Sequence, residues 1–401
     1  MVRTVFSGGR VFDGTGAEPA DADVLIEDGR IVEVGRGLDG DEQVDVSGKA
    51  ILPGLFDCHT HVMFSHIDFL RAMEEPFSYK FFDAARNLEA TLRIGITTVR
   101  DAAGADMGVR QAVEDGLIPG PRMQISLAMI SQTGGHGDPW MPCGGAMPLF
   151  LPYPGMPDGV VDGPDEMRKV VRELIRDGAD VLKVATSGGV LSPRDDPQHP
   201  HFGPEELDVL VTEAAAAGRW VMAHSHGAEA TKQAVRAGIR SIEHGTYLDD
   251  EAVELMAANG TYLVPTLLAS RAVLEAVEAG VQLPEAVLEK ERALVGIPEQ
   301  SFRRAMAAGV KVAMGTDTGV SPHGQNLREV EIMVEYGMTP REALVATTRT
   351  AAELMGLDEE LGTLEPGKRA DVVVMEGDPL DVSKMGERVV AVYKDGGQAF
   401  G

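Results

Sequence analysis

The chain has 401 residues, 44% of them hydrophobic and only 5% aromatic, enough apolar material for one large domain and a smaller unit. A formal net charge of −27 excludes the basic footprint that nucleic-acid binding or attachment to anionic lipid needs, and leaves solubility or a preference for cationic substrates as readings of the acidity. Two cysteines make no disulfide framework, no uncharged apolar run is long enough to span a membrane, and the first residues lack a signal-type apolar segment, so a cytoplasmic protein is expected.

Residues 1–54 read as short strands, among them Thr4–Phe6, Val24–Glu27 and Ile31–Val34, with an Asp28-Gly29 turn between the last two. Eight short apolar runs follow, at 51–59, 96–101, 123–130, 181–187, 220–225, 241–244, 261–267 and 311–317. Segments between them have helical periodicity. Met167, Val170, Val171, Leu174 and Ile175 make one apolar stripe that Gly178 closes, and Leu207, Leu210, Val211 and Ala214 make another between Pro204 and Gly218. Thr339-Pro340-Arg341-Glu342 starts a later helix as a capping box. Further strand-like runs close the chain at 371–376 and 389–394.

Alternating strands and helices imply a parallel sheet, and eight repeats imply closure into a (β/α)₈ TIM-type barrel. The expected organisation is a barrel over 55–364 and a small β-sandwich built from 1–54 and 365–401. Two long connections, 131–164 and 188–203, follow strands and should wall or cover the active-site face.

The ten histidines all fall at the ends of the expected strands or in the loops after them. His59 and His61 end the first barrel strand two residues apart, so both imidazoles point to one side and can bind one metal; a hydrogen-bonded pair is the alternative. Lys183 stands among apolar strand residues, where burial lowers its pKa and makes a neutral amine accessible. A neutral amine can take up CO₂ and become an anionic carbamate able to bridge two cations; a lysine paired with a barrel carboxylate is the alternative. His224 and His244, twenty residues apart at the ends of the fifth and sixth strands, can each ligate a second metal. Asp317, ending the eighth, can ligate a metal and accept a proton, or merely cap a helix.

At these residues the chain resembles the amidohydrolase superfamily, and within it the branch of prolidase-like dipeptidases and imidazolonepropionase-related enzymes. The resemblance rests on Pro53-Gly54-Leu55-Phe56-Asp57-Cys58-His59-Thr60-His61, on Thr97–Asp101, on Ser131–His136 and on Gly362–Val372, and it spans nearly the whole chain. It implies two divalent metals, usually zinc. His59, His61, N6-carboxylated Lys183 and Asp317 would hold one, and Lys183, His224 and His244 the other. A metal-bridging hydroxide would attack an amide carbonyl polarised by His136, with Asp317 relaying the proton to the leaving nitrogen. His136 as an ordinary loop histidine stays open.

The expected substrate is a dipeptide or N-acyl amino acid with a free C-terminal carboxylate. Related dipeptidases often carry a tyrosine at the position of His226, so His226 is a candidate substrate contact of altered chemistry. Arg100 reaches the site or buttresses the barrel through Asp101. The alternatives are hydrolysis of a cyclic amide, carbamate or urea, a single-metal deaminase, and a non-catalytic binding barrel. A small molecule is the expected partner, with a further copy of the chain left open; nucleic acid and membrane are not expected.

Overall fold

The structure is a computed structural model that describes residues 2–150 and 152–401; expectations touching Met1 and Leu151 lie outside the described residues. Both ends of the chain meet in one sheet, in the order Gly397–Phe400, Val389–Lys394, Val372–Glu376, Lys49–Pro53, Arg3–Val11, Ala20–Glu27 and Arg30–Gly35, with Glu42–Asp45 beside Arg3–Val11. Phe6, Val24, Ile31, Ile51, Val372 and Tyr393 pack together on it. The strands at 42–45 and 397–400 have no counterpart in the sequence reading. Arg3–Val11 also runs longer than its apolar alternation suggests, because a register shift between Phe6 and Gly9 interrupts the period of two.

The apolar run 51–59 is two strands. Lys49–Pro53 pairs antiparallel with Val372–Glu376, whereas Leu55–Thr60 pairs parallel with Ile96–Asp101. Gly54 makes the change of sheet. Its amide donates to the Asp371 carbonyl at 2.9 Å, and a Cβ there would collide with the Thr97 hydroxyl.

From Leu55 onward the fold is α/β and TIM-barrel-like. Leu55–Thr60, Ile96–Asp101 and Arg122–Ile125 form one parallel group. Met129–Ile130, Val181–Ala185, Trp220–Gly227, Ser241–Tyr247 and Tyr262–Val264 form a second. The expected third strand is thus split, with Leu127 at φ 67° between its halves. The expected eighth strand is a run of single bridges, Leu263 to Val312 and Thr60 to Thr318. It forms no ladder because the Thr316 and Asp317 amides both turn to the His59 carbonyl, at 3.3 and 2.8 Å, with Asp317 at φ 59°.

The predicted helices are present at Pro164–Arg176 and Pro204–Ala216, with their apolar stripes turned inward. Thr339 and Glu342 cap Pro340–Thr347 reciprocally. Leu267–Glu278 and Glu285–Ala293, after the seventh strand, have no counterpart in the sequence reading. No helix among the described residues is long and apolar enough to cross a membrane.

Candidate metal centre and its pocket

The C-terminal ends of the barrel-like strands open into one pocket. His59, His61, His136, Lys183, His224, His226, His244 and Asp317 all line it. The remaining histidines stand elsewhere: His66 against Glu75, His199 exposed, His201 behind Gly135, and His323 against the Phe64 carbonyl.

Most of the pocket imidazoles are held by one nitrogen. His59 Nδ1 meets Glu243 Oε2 at 2.7 Å, His61 Nδ1 the Ala103 carbonyl at 3.0 Å, and His244 Nδ1 the Thr266 hydroxyl at 2.7 Å. His226 Nδ1 meets the Thr246 hydroxyl at 2.6 Å. These contacts leave Nε2 as the nitrogen offered to the pocket. His224 is turned the other way, its Nε2 lying 3.1 Å from the Gly188 carbonyl, so Nδ1 is the free atom.

Asp317 Oδ1 stands 3.1 Å from His61 Nε2 and 3.5 Å from His59 Nε2. Burial opposes its ionisation, but His59, His61 and His244 outweigh burial and hold the carboxyl well below its ordinary range. Burial drives His59 down to about 4, His226 to about 3, and His224 and His244 well below their usual values. All are therefore neutral near pH 7, the form that binds metal. Ligand atoms of His59, His244 and Asp317 lie within 4.8 Å of one another, as do those of His224, His226 and His244.

Lys183 is 2% exposed, with Nζ 3.3 Å from His59 Nε2. Burial pushes its pKa down to about 8. No carboxylate among the described residues makes an ion pair with it, so the alternative of a paired structural lysine finds no partner.

Arg100 lies outside the pocket. Its Nε donates to the Cys58 carbonyl at 2.7 Å, and its other nitrogens to Ser241 Oγ at 3.2 Å and Glu243 Oε1 at 2.9 Å. Its guanidinium is consumed by buried acceptors below the strand ends. The expected buttressing partner, Asp101, instead accepts the Val62 amide at 2.8 Å. Glu243, the group Arg100 does reach, escaped the sequence reading. The signal was present: a carboxylate in an apolar strand, as anomalous as Lys183. Burial would raise its pKa, but Arg100 and His59 hold it at about 2.

His136 is held from a loop. Its Nδ1 lies 2.7 Å from Ser192 Oγ, and Ser192 bonds Asp195. Lys290 Nζ fastens the same loop, donating to Gly189 O at 2.8 Å, Ser192 O at 2.7 Å and Asp195 Oδ1 at 2.9 Å. The His136 ring stacks on His224 at 4.3 Å. Nothing periodic in the sequence announces Ser192, Asp195 or Lys290. Leu149, Phe150, Val190 and Leu191 bring the two long connections into the pocket wall, as expected of them.

Comparison with known proteins supplies the remaining context. The model of the amidohydrolase family matches residues 50–398. Ochratoxinase of Aspergillus niger is 36% identical, over 99% of this chain and 86% of its own. Imidazolonepropionase of Caldanaerobacter subterraneus subsp. tengcongensis is 26% identical, over 91% of this chain and 86% of its own. A crystal structure of a Xaa-Pro dipeptidase with bound methionine in the active site superposes with a TM-score of 0.91, at 35% identity and full coverage of both chains.

Proposed function

The chain belongs to the amidohydrolase family, and on that premise we propose that it hydrolyses the amide bond of a dipeptide or N-acyl amino acid with a free C-terminal carboxylate. The observation that carries this reading is the convergence of oriented, neutral imidazoles and an ionised Asp317 on one pocket. The likeness to a Xaa-Pro dipeptidase that holds methionine in its active site supports an amino acid as one half of the substrate. We read the fold as a closed (β/α)₈ barrel over 55–364 carrying a β-sandwich from 1–54 and 365–401.

The donor set fits two divalent cations, zinc in our reading: nitrogen and carboxylate donors, outer contacts on the far nitrogens, and a buried amine beside His59. His59, His61 and Asp317 would hold one, and His224 and His244 the other. Neutral Lys183 would add CO₂ and lose a proton, giving a carbamate shared by both. When bound, such cations lower the pKa of water and polarise a carbonyl oxygen.

The protein's own groups do the rest. Asp317 accepts the proton of the attacking water and delivers it to the leaving nitrogen. His136, fixed through Nδ1 by Ser192, turns Nε2 to the carbonyl oxygen and donates to it as negative charge develops. His226 offers Nε2 to the substrate carboxylate.

The test is a panel of dipeptides and N-acyl amino acids, their C-terminal amides, and cyclic amides, assayed with zinc and bicarbonate. Free acids should be cleaved at least about tenfold faster than their amides, the size of one charge-assisted hydrogen bond. Equal cleavage, or cleavage of the cyclic members alone, would refute the substrate class.

A further inference from the structure

One charged group of the pocket has no task in that mechanism. Helix Glu285–Ala293 turns Val287 and Glu291 inward, with Leu294 just beyond its end, so a carboxylate takes the middle of an apolar stripe. Glu291 is 3% exposed, and it lines the same pocket as the imidazoles, beside Ser270, Leu294 and Pro298.

The neighbouring cations are engaged elsewhere. Lys290 is spent on Gly189, Ser192 and Asp195, and Arg292 pairs with Glu285 at 2.8 Å. Burial pushes the Glu291 carboxyl up to about 7, and the Ser270 hydroxyl is the one group that opposes this. Removing a carboxylate from water without a cationic partner is costly. A carboxyl held this way at the wall of a pocket escapes the cost by protonating, and a cation brought by a ligand would favour its ionised form.

We propose that Glu291, with Ser270 beside it, forms a cation subsite that binds a protonated amine on the acyl half of the substrate. The inference rests on the amide-hydrolase reading and narrows it. Leu191, Leu267, Val273 and Leu294 line the same pocket. The acyl group is therefore an apolar body carrying an ammonium, either the α-amine of a dipeptide or an amine along an acyl chain.

Two matched pairs on one C-terminal amino acid test it: alanyl against propionyl, and 6-aminohexanoyl against hexanoyl. The zinc-loaded wild type should favour the amine-bearing member of at least one pair by about tenfold or more in kcat/KM. The pair with the larger ratio identifies which amine is bound. In Glu291→Gln that ratio should fall to within about threefold of one, since the amide keeps the shape and loses the charge. A ratio near one in both pairs for the wild type, or an unchanged ratio in Glu291→Gln, would overturn the proposal.

If no amide is cleaved, the hydrolase reading fails, and calorimetric titration with hexylammonium and hexanol at pH 7 still decides the subsite. Hexylammonium should bind the wild type at least about tenfold more tightly than it binds Glu291→Gln, with hexanol showing no such difference. Equal binding of hexylammonium would remove the subsite.

Discussion

At the His59 end of the pocket, the imidazole leans on Glu243 and Glu243 on Arg100; all three stand on strands, with side-chain exposures of 1%, 0% and 2%. At the His136 end, the chain of contacts is His136, Ser192, Asp195 and Lys290, carried by two connections and one helix. Both ends fix an imidazole through Nδ1. The strand-borne end is buried and closed on itself, and removing Arg100 leaves the Glu243 carboxylate without its cation. The loop-borne end is tied by Lys290, 17% exposed, to an Asp195 side chain 2% exposed, and both partners stand outside the barrel-like strands. The first arrangement suits a metal site that must not shift. The second suits a group that must meet successive substrates.

The largest effect expected comes from Asp317, the proposed proton carrier of this pocket. Asp317→Asn should lower kcat by about 10³-fold or more, within the range that loss of a positioned acid–base group produces, with the melting temperature little changed. A steady-state assay beside a thermal scan checks this, and near-normal turnover would remove Asp317 from the mechanism.

Next come changes at the strand-borne end. Arg100→Met should cost about 3 to 5 kcal/mol of stability, because it strands Glu243 in the core. Denaturant unfolding measures it. Glu243 also carries a pH signature. Its folded pKa of about 2 lies below the ordinary 4.5, so its pairing contributes stability above about pH 4.5 and loses it as pH falls towards 2. In Glu243→Gln the melting temperature should be lower at pH 7 and fall less steeply across that window.

Smaller losses are expected at the loop-borne end. Asp195→Asn should lower kcat/KM about 10- to 100-fold, as loss of an outer positioning contact does, while bound metal stays at the wild-type amount. Glu243→Gln, by contrast, should lose metal. Metal analysis of both variants sharpens the comparison, and metal loss in Asp195→Asn would show that the two ends are not independent. The smallest shift is that of chelation, which should lower the melting temperature by mass action and be reversed by adding zinc and bicarbonate together.

Several parts of this molecule were legible because they obey a period. His59 and His61 sit two apart on a strand, the 164–176 and 204–216 helices repeat every three to four residues, and Lys183 is conspicuous among apolar neighbours. Other parts obey none. The break at Leu127, the sheet change at Gly54 and the absence of a ladder at 311–317 all depend on what lies across from them.

Local sequence thus determined which residues could carry the chemistry, since residue type and alternation along a strand are properties of the chain itself. Tertiary structure alone decided which nitrogen each imidazole offers, that Arg100 serves Glu243 and not the pocket, and that Glu291 faces the pocket without a cation. Those outcomes depend on contacts between residues far apart in the chain, such as the 143 positions separating Arg100 from Glu243, and no local pattern encodes a partner at that distance.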